Sequence, residues 1–342
     1  MSHKNLNVKI KIPKLLRDKL KNKIISNIYK TFEKSLNIKD NFAVAVSGGP
    51  DSLALAFLSK IYSTKRNLLV KFFIVDHKLR PESTKEAKTV YKLLKKNLIK
   101  SEILSWSGKK PTKNIQSEAR FKRYELLFKR CKKLKIRNIL LGHHQDDLFE
   151  NFFIRLLRGS GLKGLVSLDK KNTISGINIL RPLIHQNKKD LVFLSKKVFG
   201  FYINDPTNLD EKFQRIKVRK LINSLQENGL NKKKFLKTIQ NLKFSNKVVN
   251  FYVNENLKKN AVFSDRNKNL ILSKSFFTQP YEVVFRAFSE SIRLVGKKHY
   301  PVRGKKLDKI INDIDNKRLK RATLGGCLVE KVHQTIIISK EH

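Results

Sequence analysis

The sequence predicts an α/β protein: a parallel, doubly wound sheet followed by a helical domain and a short β-containing C-terminal element. The sheet is predicted because apolar runs of strand length recur between residues 42 and 143, each followed by a helical segment. Such alternation is typical of a parallel sheet that helices cover on both faces. Beyond about residue 205 the pattern is helical, until strand patterning returns around the Gly-Gly pair at 325–326.

The elements follow in order along the chain, beginning with a lysine-rich helix predicted over 14–38. Ser83 is predicted to cap a later helix, because Glu86 follows three residues on, as in a capping box. The strands are predicted over 42–46, 68–76, 101–106 and 137–143, and the helices that follow them over 52–62, 83–97, 117–134 and 146–159. Further helices are predicted over 214–225, 232–257 and 280–295, and strands within 321–339.

Three polar clusters directly follow predicted strands, at residues 47–52, 75–77 and 142–147. The carboxyl ends of parallel strands meet at one edge of a sheet, and ligands of open α/β folds bind there. We therefore expect the three clusters to converge on one site.

The composition points to a polyanionic partner. Lys and Arg number 75 against 28 Asp and Glu, which gives a net charge of +47. Cations that neutralise phosphates release condensed counterions, so nucleic acid is the first partner to consider. The alternative, a lysine-rich bias of the whole proteome, stays open because most of the excess is lysine.

The cysteines exclude several classes of site. Cys131 and Cys327 lie far apart, and no CxxC pair occurs. This pattern indicates a reducing compartment without a disulfide framework, and it disfavours thiolate-bound zinc or an iron–sulfur cluster.

No run approaches the roughly 18 apolar residues that span a bilayer. We therefore expect a cytoplasmic protein with no membrane partner.

The stretch SGGPDS, residues 47–52, joins the first strand to its helix. Successive backbone N–H groups and the helix N-terminus would together bind a phosphate, and glycine permits the close approach. The two hydroxyls would add donors, whereas the carboxylate would hold Mg²⁺ or orient a nucleotide. The predicted nucleotide-binding residues are Ser47, Gly48, Gly49, Pro50, Asp51 and Ser52.

The loop is neither a Walker loop nor a dinucleotide fingerprint, since the glycine spacings of both are absent. It resembles the SGGxDS loop of the PP-loop ATP pyrophosphatases, whose fold is that of the adenine nucleotide α-hydrolases. The resemblance implies that ATP is cleaved between its α- and β-phosphates and that a substrate oxygen is adenylated. It also implies ATP as a substrate and Mg²⁺ at Asp51.

Five further stretches narrow the resemblance, and in this order they are similar to motifs of the bacterial tRNA(Ile)-lysidine synthases. That family joins the ε-amine of free lysine to C2 of the wobble cytidine in the CAU anticodon of tRNA(Ile). ATP first adenylates the C2 oxygen, and lysine then displaces AMP. The stretches are VDHKLRPES (75–83), EARFKRYELL (118–127), GHHQDDLFENFFIRLLRGSGLKGL (142–165), ILRPLI (179–184) and NDPTNLDEKFQRIKVRK (204–220).

The resemblance implies catalytic roles for Arg120, His143 and Asp147 alongside Asp51. Arg120 would stabilise charge on the transferring phosphate, and His143 would contact phosphate or the cytidine. Asp147 would take a proton from the lysine amine, which attacks only when neutral. Glu150 lies three residues after Asp147 on the same helix face and would help to hold the cationic lysine.

Basic residues beyond that helix are candidate contacts for the tRNA. Arg155 and Arg158 precede a Gly-rich turn, where cations can instead simply complement a helix C-terminus. Arg215 and Arg219 are four residues apart on one predicted helix face. For two neighbours of the catalytic candidates a structural role is the alternative: His144 is expected to be structural, and Asp146 to be either functional or an N-cap.

Three domains are predicted: a basic helical extension (1–39), a PP-loop ATP-binding catalytic domain (40–220) and a basic, mainly helical region with a β tail that binds tRNA (221–342). One alternative is a tRNA 2-thiolating PP-loop enzyme, against which the two isolated cysteines argue. Another is a non-catalytic RNA-binding protein on the same scaffold. A homodimer is left open.

Overall fold

The computed structural model describes residues 11–79, 81–108, 115–203, 214–265, 268–298, 302 and 304–341. The chain divides into two compact units, Met1–Leu230 and Asn231–His342. The division into three domains stays a prediction. Among the residues described, no helix is both long and apolar enough to cross a membrane.

The first unit alternates strands and helices over most of its length. Its strands are β1 (Phe42–Ala45), β2 (Val70–Asp76), β3 (Ser101–Ser105), β4 (Asn138–Leu140), β5 (Lys171–Ile174) and β6 (Ile177–Leu180). Its helices are α1 (Lys14–Lys19), α2 (Lys23–Ser35), α3 (Pro50–Lys65), α4 (Ser83–Lys96), α5 (Ile115–Lys133), α6 (Gln145–Leu156), α7 (Leu162–Leu165), α8 (Lys188–Phe199) and α9 (Gln214–Glu227).

The sheet of this unit has the strand order β3-β2-β1-β4-β6-β5. The first five of these strands are parallel, and β5 pairs antiparallel with β6 at the edge. Apolar clusters cover both faces: Phe42 and Val44 belong to one, Ala43 and Cys131 to the other. The predicted parallel, doubly wound sheet is confirmed, and the hairpin of β5 and β6 is an addition that the sequence did not predict.

Asp76, at the end of β2, fastens α4 to the sheet. Its carboxylate accepts hydrogen bonds from the Ser83 hydroxyl at 2.9 Å and the Thr84 hydroxyl at 2.8 Å. Burial opposes ionisation, but these hydrogen bonds outweigh it and hold the pKa of Asp76 below its usual value. Glu82 is the N-cap of α4, so the prediction of Ser83 as the N-cap is wrong. The Ser83 hydroxyl donates to Asp76 instead.

In its described residues, the second unit combines three α-helices with an antiparallel sheet of order β7-β8-β11-β10-β9. The expectation of strands only in the tail is wrong, because β7 and β8 are four-residue strands that complete this sheet. Gly325 and Gly326 have φ angles of 67° and 75°, as a tight hairpin turn requires. The elements are α10 (Lys232–Asn260), β7 (Ala261–Ser264), β8 (Asn269–Leu272), α11 (Tyr281–Val295), α12 (Gly304–Asp315), β9 (Arg321–Leu324), β10 (Cys327–Val332) and β11 (Thr335–Lys340).

Candidate active site

The glycine loop lies between β1 and α3, at the carboxyl edge of the sheet. Gly48 has a φ angle of 91°, and a Cβ there would lie 2.5 Å from Val90 Cγ2 and 3.0 Å from Ile203 Cδ1. Only glycine fits, for reasons of both backbone conformation and space. The Gly48 carbonyl accepts the N–H of Ile203 at 2.9 Å, which fixes the loop from its outer side.

Ser52 occupies the inside of the loop rather than facing outward. Its Oγ accepts the N–H groups of Ser47 and Gly48, both at 3.1 Å, and donates to the Gly49 carbonyl at 2.9 Å. These two amides and this hydroxyl are therefore bonded to one another, in contrast to the expectation that all of them face a phosphate. The free donors expected here are the first-turn N–H groups of α3, which have no acceptor within their helix.

Gly142 lets the end of β4 approach the loop closely. A Cβ at this position would lie 3.1 Å from the backbone carbonyl carbon and oxygen of Asp51 and from the Ser52 nitrogen. The absence of a side chain at 142 thus brings the start of α6 against the first turn of α3. Two of the three predicted polar clusters, at 47–52 and 142–147, meet here.

Asp51 is half-buried beside His144. Its Oδ2 lies 3.5 Å from His144 Nε2, whereas its Oδ1 is buried with no hydrogen-bond partner. Burial raises the pKa of Asp51 above its usual value, although His144 and Lys188 draw it downward. A carboxylate oxygen buried without a donor suits a cation, and Mg²⁺ in nucleotide sites commonly takes only one or two carboxylates plus phosphate oxygens. The residues present therefore fit Mg²⁺ bound together with ATP.

His144 is the N-cap of α6 and is structural, as expected. Its Nδ1 accepts the Asp146 N–H at 3.2 Å, and its own backbone N–H donates to Asp147 Oδ2 at 2.8 Å. Asp146 is therefore not the N-cap. Burial opposes ionisation of Asp147, but His144, whose backbone N–H also donates to the carboxylate, and Arg215 outweigh it and hold its pKa below the usual value. The Asp147 carboxylate is thus negatively charged at neutral pH.

His143 pairs with Arg181, which lies in the ILRPLI stretch and had no predicted role. Arg181 Nε donates to His143 Nδ1 at 3.1 Å. Burial, together with Arg181, Arg120 and Arg123, lowers the pKa of His143 to about 3, against the opposing effect of Asp147. The imidazole is therefore neutral at physiological pH.

Arginines of α5 and α9 interact electrostatically with His143 and Asp147. Arg120 is exposed, and its guanidinium donates to the Tyr124 hydroxyl at 3.2 Å. Arg120 and Arg123 both act on the charge of His143, and Arg215 acts on that of Asp147. The structure thus brings together Asp51, Arg120, His143, Asp147 and Arg215, and it adds residues that the sequence did not single out: Gly142, Arg123, Arg181 and Lys188.

Glu150 and Arg219 bind each other, although the sequence analysis gave them to lysine and to tRNA. Arg219 Nε donates to Glu150 Oε1 at 2.6 Å, and Nη2 lies 3.4 Å from Oε2. The pair ties α9 to α6. Arg158 donates to Gln214 Oε1 at 2.6 Å, and Arg155 is half-buried in the last turn of α6. Asp205 and Asn208, quoted for the family's DPTN motif, lie outside the described residues.

Within the described ranges, no group of three or more His, Cys, Asp or Glu side chains is arranged to hold a metal ion by itself. A cation here would depend on ligands from the bound nucleotide. Asp51 would supply one carboxylate, of which the Oδ1 atom is buried.

Comparisons with known proteins agree with this geometry. A family model described as a PP-loop domain matches residues 20–225. A tRNA(Ile)-lysidine synthase of Wolbachia pipientis wMel is 34% identical over 302 residues, covering 87% of this chain and 70% of that protein. The synthase of Orientia tsutsugamushi is 36% identical over 313 residues, covering 87% of this chain and 69% of its relative.

The fold also matches a solved structure, a U34-tRNA thiolase of Methanococcus maripaludis. The TM-score is 0.56 at 18% identity, and the match covers 64% of this chain and 78% of the thiolase. At that identity the likeness concerns the fold alone. The PP-loop model matches more than half of the chain, and the chain is more than 30% identical to synthases that it covers over two thirds of their length. The chain therefore belongs to the tRNA(Ile)-lysidine synthase family of PP-loop proteins.

Proposed function

We propose that this protein converts the wobble cytidine of a tRNA(Ile) with a CAU anticodon to lysidine. The substrates are ATP, Mg²⁺-bound, and free L-lysine, and the products are AMP and pyrophosphate. The observation that carries the proposal is the contact at Gly142, which sets the acidic start of α6 against the glycine loop. This contact supports a nucleotide site beside an anionic site that would attract an ammonium group.

The triphosphate would bind at the N-terminus of α3. First-turn N–H groups and the positive end of the helix dipole favour an anion there. Asp51 would hold Mg²⁺ through Oδ1, and the ion would neutralise charge on the leaving pyrophosphate. Lys188, which interacts electrostatically with Asp51, adds a cation at the same edge.

Adenylation needs donors around the α-phosphate. The cytidine C2 oxygen attacks the α-phosphorus, the bond to the β-phosphate oxygen breaks, and pyrophosphate leaves. Arg120 and Arg123 supply fixed positive charge near His143, where negative charge grows in the transition state. His143, being neutral, contributes a hydrogen-bond donor rather than a charge.

Lysine would bind at Asp147. Its carboxylate is ionised at neutral pH and attracts the ε-ammonium, whereas its lowered pKa makes it a weak proton acceptor. We therefore assign Asp147 to holding and orienting the amine, with the proton passing on to water before nucleophilic attack at C2. Glu150 is assigned to the scaffold, because Arg219 already occupies both of its oxygens.

The basic second unit would supply a tRNA-binding surface of its own. α10 carries eight lysines and one glutamate over its 29 residues. The same helix exposes Phe244, Val248, Phe251 and Tyr252, each more than half accessible to solvent. Lysines contact phosphates and exposed aromatic rings stack on unpaired bases, so this surface suits RNA.

Sedimentation of the protein with and without tRNA tests the homodimer that the sequence leaves open.

A 2-thiolating enzyme is the second reading, and the cysteines disfavour it. Cys131 and Cys327 are both buried and belong to different units. Burial raises the pKa of Cys131 to about 11, so its thiolate is scarce at neutral pH. Sulfur transfer requires an accessible thiolate, which neither residue offers.

The deciding experiment incubates the protein with ATP, labelled lysine and a CAU-anticodon tRNA(Ile) transcript. We expect pyrophosphate release that depends on the tRNA, and label that stays on the tRNA. Asp51→Ala should abolish AMP formation while leaving tRNA binding intact, and Asp40→Ala, an exposed carboxylate just before β1, is the matched control. Pyrophosphate release at the normal rate by Asp51→Ala, or sulfur instead of lysine on the base, would contradict the proposal.

A further inference from the structure

We infer that Arg181 is a positioning residue: it holds His143 in the neutral tautomer that carries its proton on Nε2, so that His143 meets the substrate only as a hydrogen-bond donor. The tautomer is a property of the folded chain alone. Only its kinetic consequence rests on the proposed function.

The hydrogen-bond inventory of the two side chains dictates the tautomer. A guanidinium has donors and no acceptor, so the Arg181 Nε–H that lies 3.1 Å from His143 Nδ1 must donate to a lone pair. Nδ1 therefore carries no proton. In a neutral imidazole the single proton then resides on Nε2, the nitrogen on the opposite side of the ring.

Arg181 itself has little freedom to change partner. The residue is 4% exposed, and its Nη1 donates to the Asp169 carbonyl at 2.7 Å and lies 3.4 Å from Asn172 Oδ1. Its backbone N–H donates to the Lys170 carbonyl at 2.8 Å. Three groups of the β5–β6 hairpin and the residues just before it thus hold Arg181 in place, two of them at its guanidinium, before His143 is considered.

The register of the sheet places the hairpin beside His143. β6 pairs in parallel with β4, with Leu180 opposite Leu140, and the Leu141 N–H donates to the Leu180 carbonyl at 2.9 Å. Arg181 follows Leu180, so it lies next to the residues that leave β4. The hairpin that the sequence did not predict therefore carries a residue that controls the site.

The charges around His143 also oppose its protonation. Arg120 and Arg123 of α5 and Arg181 after β6 oppose the imidazolium, whereas Asp147 of α6 favours it. Protonation would place a positive charge on Nδ1 against a fixed guanidinium. His143 therefore stays neutral across the range, about pH 5 to 8, in which an ordinary histidine titrates.

Nitrogen-15 NMR of the full-length protein tests the tautomer directly, without substrates. The His143 signals are identified by their loss in His143→Gln. We expect an unprotonated Nδ1 and a protonated Nε2 that do not titrate between about pH 5 and 8. A proton on Nδ1, or a titration within that range, would overturn the inference whether or not the protein forms lysidine.

Kinetics of Arg181 variants test the consequence. Arg181→Met frees Nδ1, so we expect His143 to titrate and kcat for AMP formation to fall about 10- to 100-fold, with a new pH dependence and little change in KM for ATP. Arg181→Lys keeps a donor and should restore much of the rate, and Arg137→Met, at an exposed arginine before β4, is the control. Loss of rate in Arg181→Met with an unchanged pH profile and unchanged His143 signals would mean that Arg181 only supports the fold, and would overturn the proposal.

Discussion

The ion pair between Glu150 and Arg219 predicts an asymmetric response to substitution. The Glu150 side chain is 5% exposed and that of Arg219 is 35% exposed, at an N–O distance of 2.6 Å. Arg219→Met leaves a buried carboxylate without a partner, which typically costs about 3–5 kcal/mol. Glu150→Gln leaves an arginine that can reach water, and we expect a cost of about 1 kcal/mol.

Thermal unfolding measures the difference. At about 2–4 °C per kcal/mol for a unit of this size, Arg219→Met should lower the Tm of the first unit by at least about 6 °C, and Glu150→Gln by about 2–4 °C. The double variant Glu150→Gln/Arg219→Met should be more stable than Arg219→Met alone, because no unpaired charge remains buried. Lys217→Met, an exposed position on α9, is the control.

The same variants separate a scaffold from a lysine-binding role. If Glu150 only ties α9 to α6, the KM for lysine of Glu150→Gln should change less than about threefold. Equal destabilisation by the two single variants would refute the reasoning from burial. A large rise in the KM for lysine at unchanged Tm would return Glu150 to the substrate site.

Four further outcomes follow from the geometry. Gly142→Ala should lower AMP formation at least tenfold in a folded protein, since its Cβ would press on the α3 backbone at 3.1 Å, whereas Gly161→Ala, with open space around it, should be silent in the same assay. Ser52→Ala should cost about 1–3 kcal/mol in urea unfolding, because two loop amides lose their acceptor. The pKa of His143 is about 3 in the folded state and about 6.5 in the unfolded state, so the unfolded chain binds more protons between these pH values. The free energy of unfolding should therefore fall with decreasing pH, by up to about 1.4 kcal/mol per pH unit. The pH dependence should be weaker in His143→Gln. Substituting Ser for both Phe251 and Tyr252 should weaken tRNA binding without changing the dependence of affinity on salt concentration. Neutralising lysines in 231–258 should instead make the affinity less dependent on salt. If neither the affinity nor its salt dependence changes in a filter-binding series, α10 is not part of the RNA interface.

Local patterns predicted the first unit well because its elements are long and strongly periodic. α3 and β2 lie within a few residues of their predicted ends. The hairpin of β5 and β6 was missed because its strands have four residues each, too few to show alternation. β7 and β8 were missed for the same reason, and their pairing depends on β11, far along the chain.

Candidate site residues could be predicted from the sequence where they lie in one motif. They could not be predicted where their role depends on a partner that is distant along the chain. Asp51, His143 and Asp147 follow from the residues at the ends of β1 and β4. Arg181 could not be assigned, because its role depends on a strand register that places it beside His143. The pairing of Glu150 could not be predicted for a related reason: its partner Arg219 lies 69 residues away.

The Ser52 hydroxyl inside the glycine loop has a thermodynamic consequence for nucleotide affinity. Because it accepts hydrogen bonds from the amides of Ser47 and Gly48, the folded chain itself fixes the dihedral angles of the loop. Fixing a residue's backbone costs about 1–2 kcal/mol of conformational entropy, and here that loss belongs to folding rather than to binding. A triphosphate bound as proposed would enter a preorganised loop, and its affinity would not be reduced by the ordering of a disordered one.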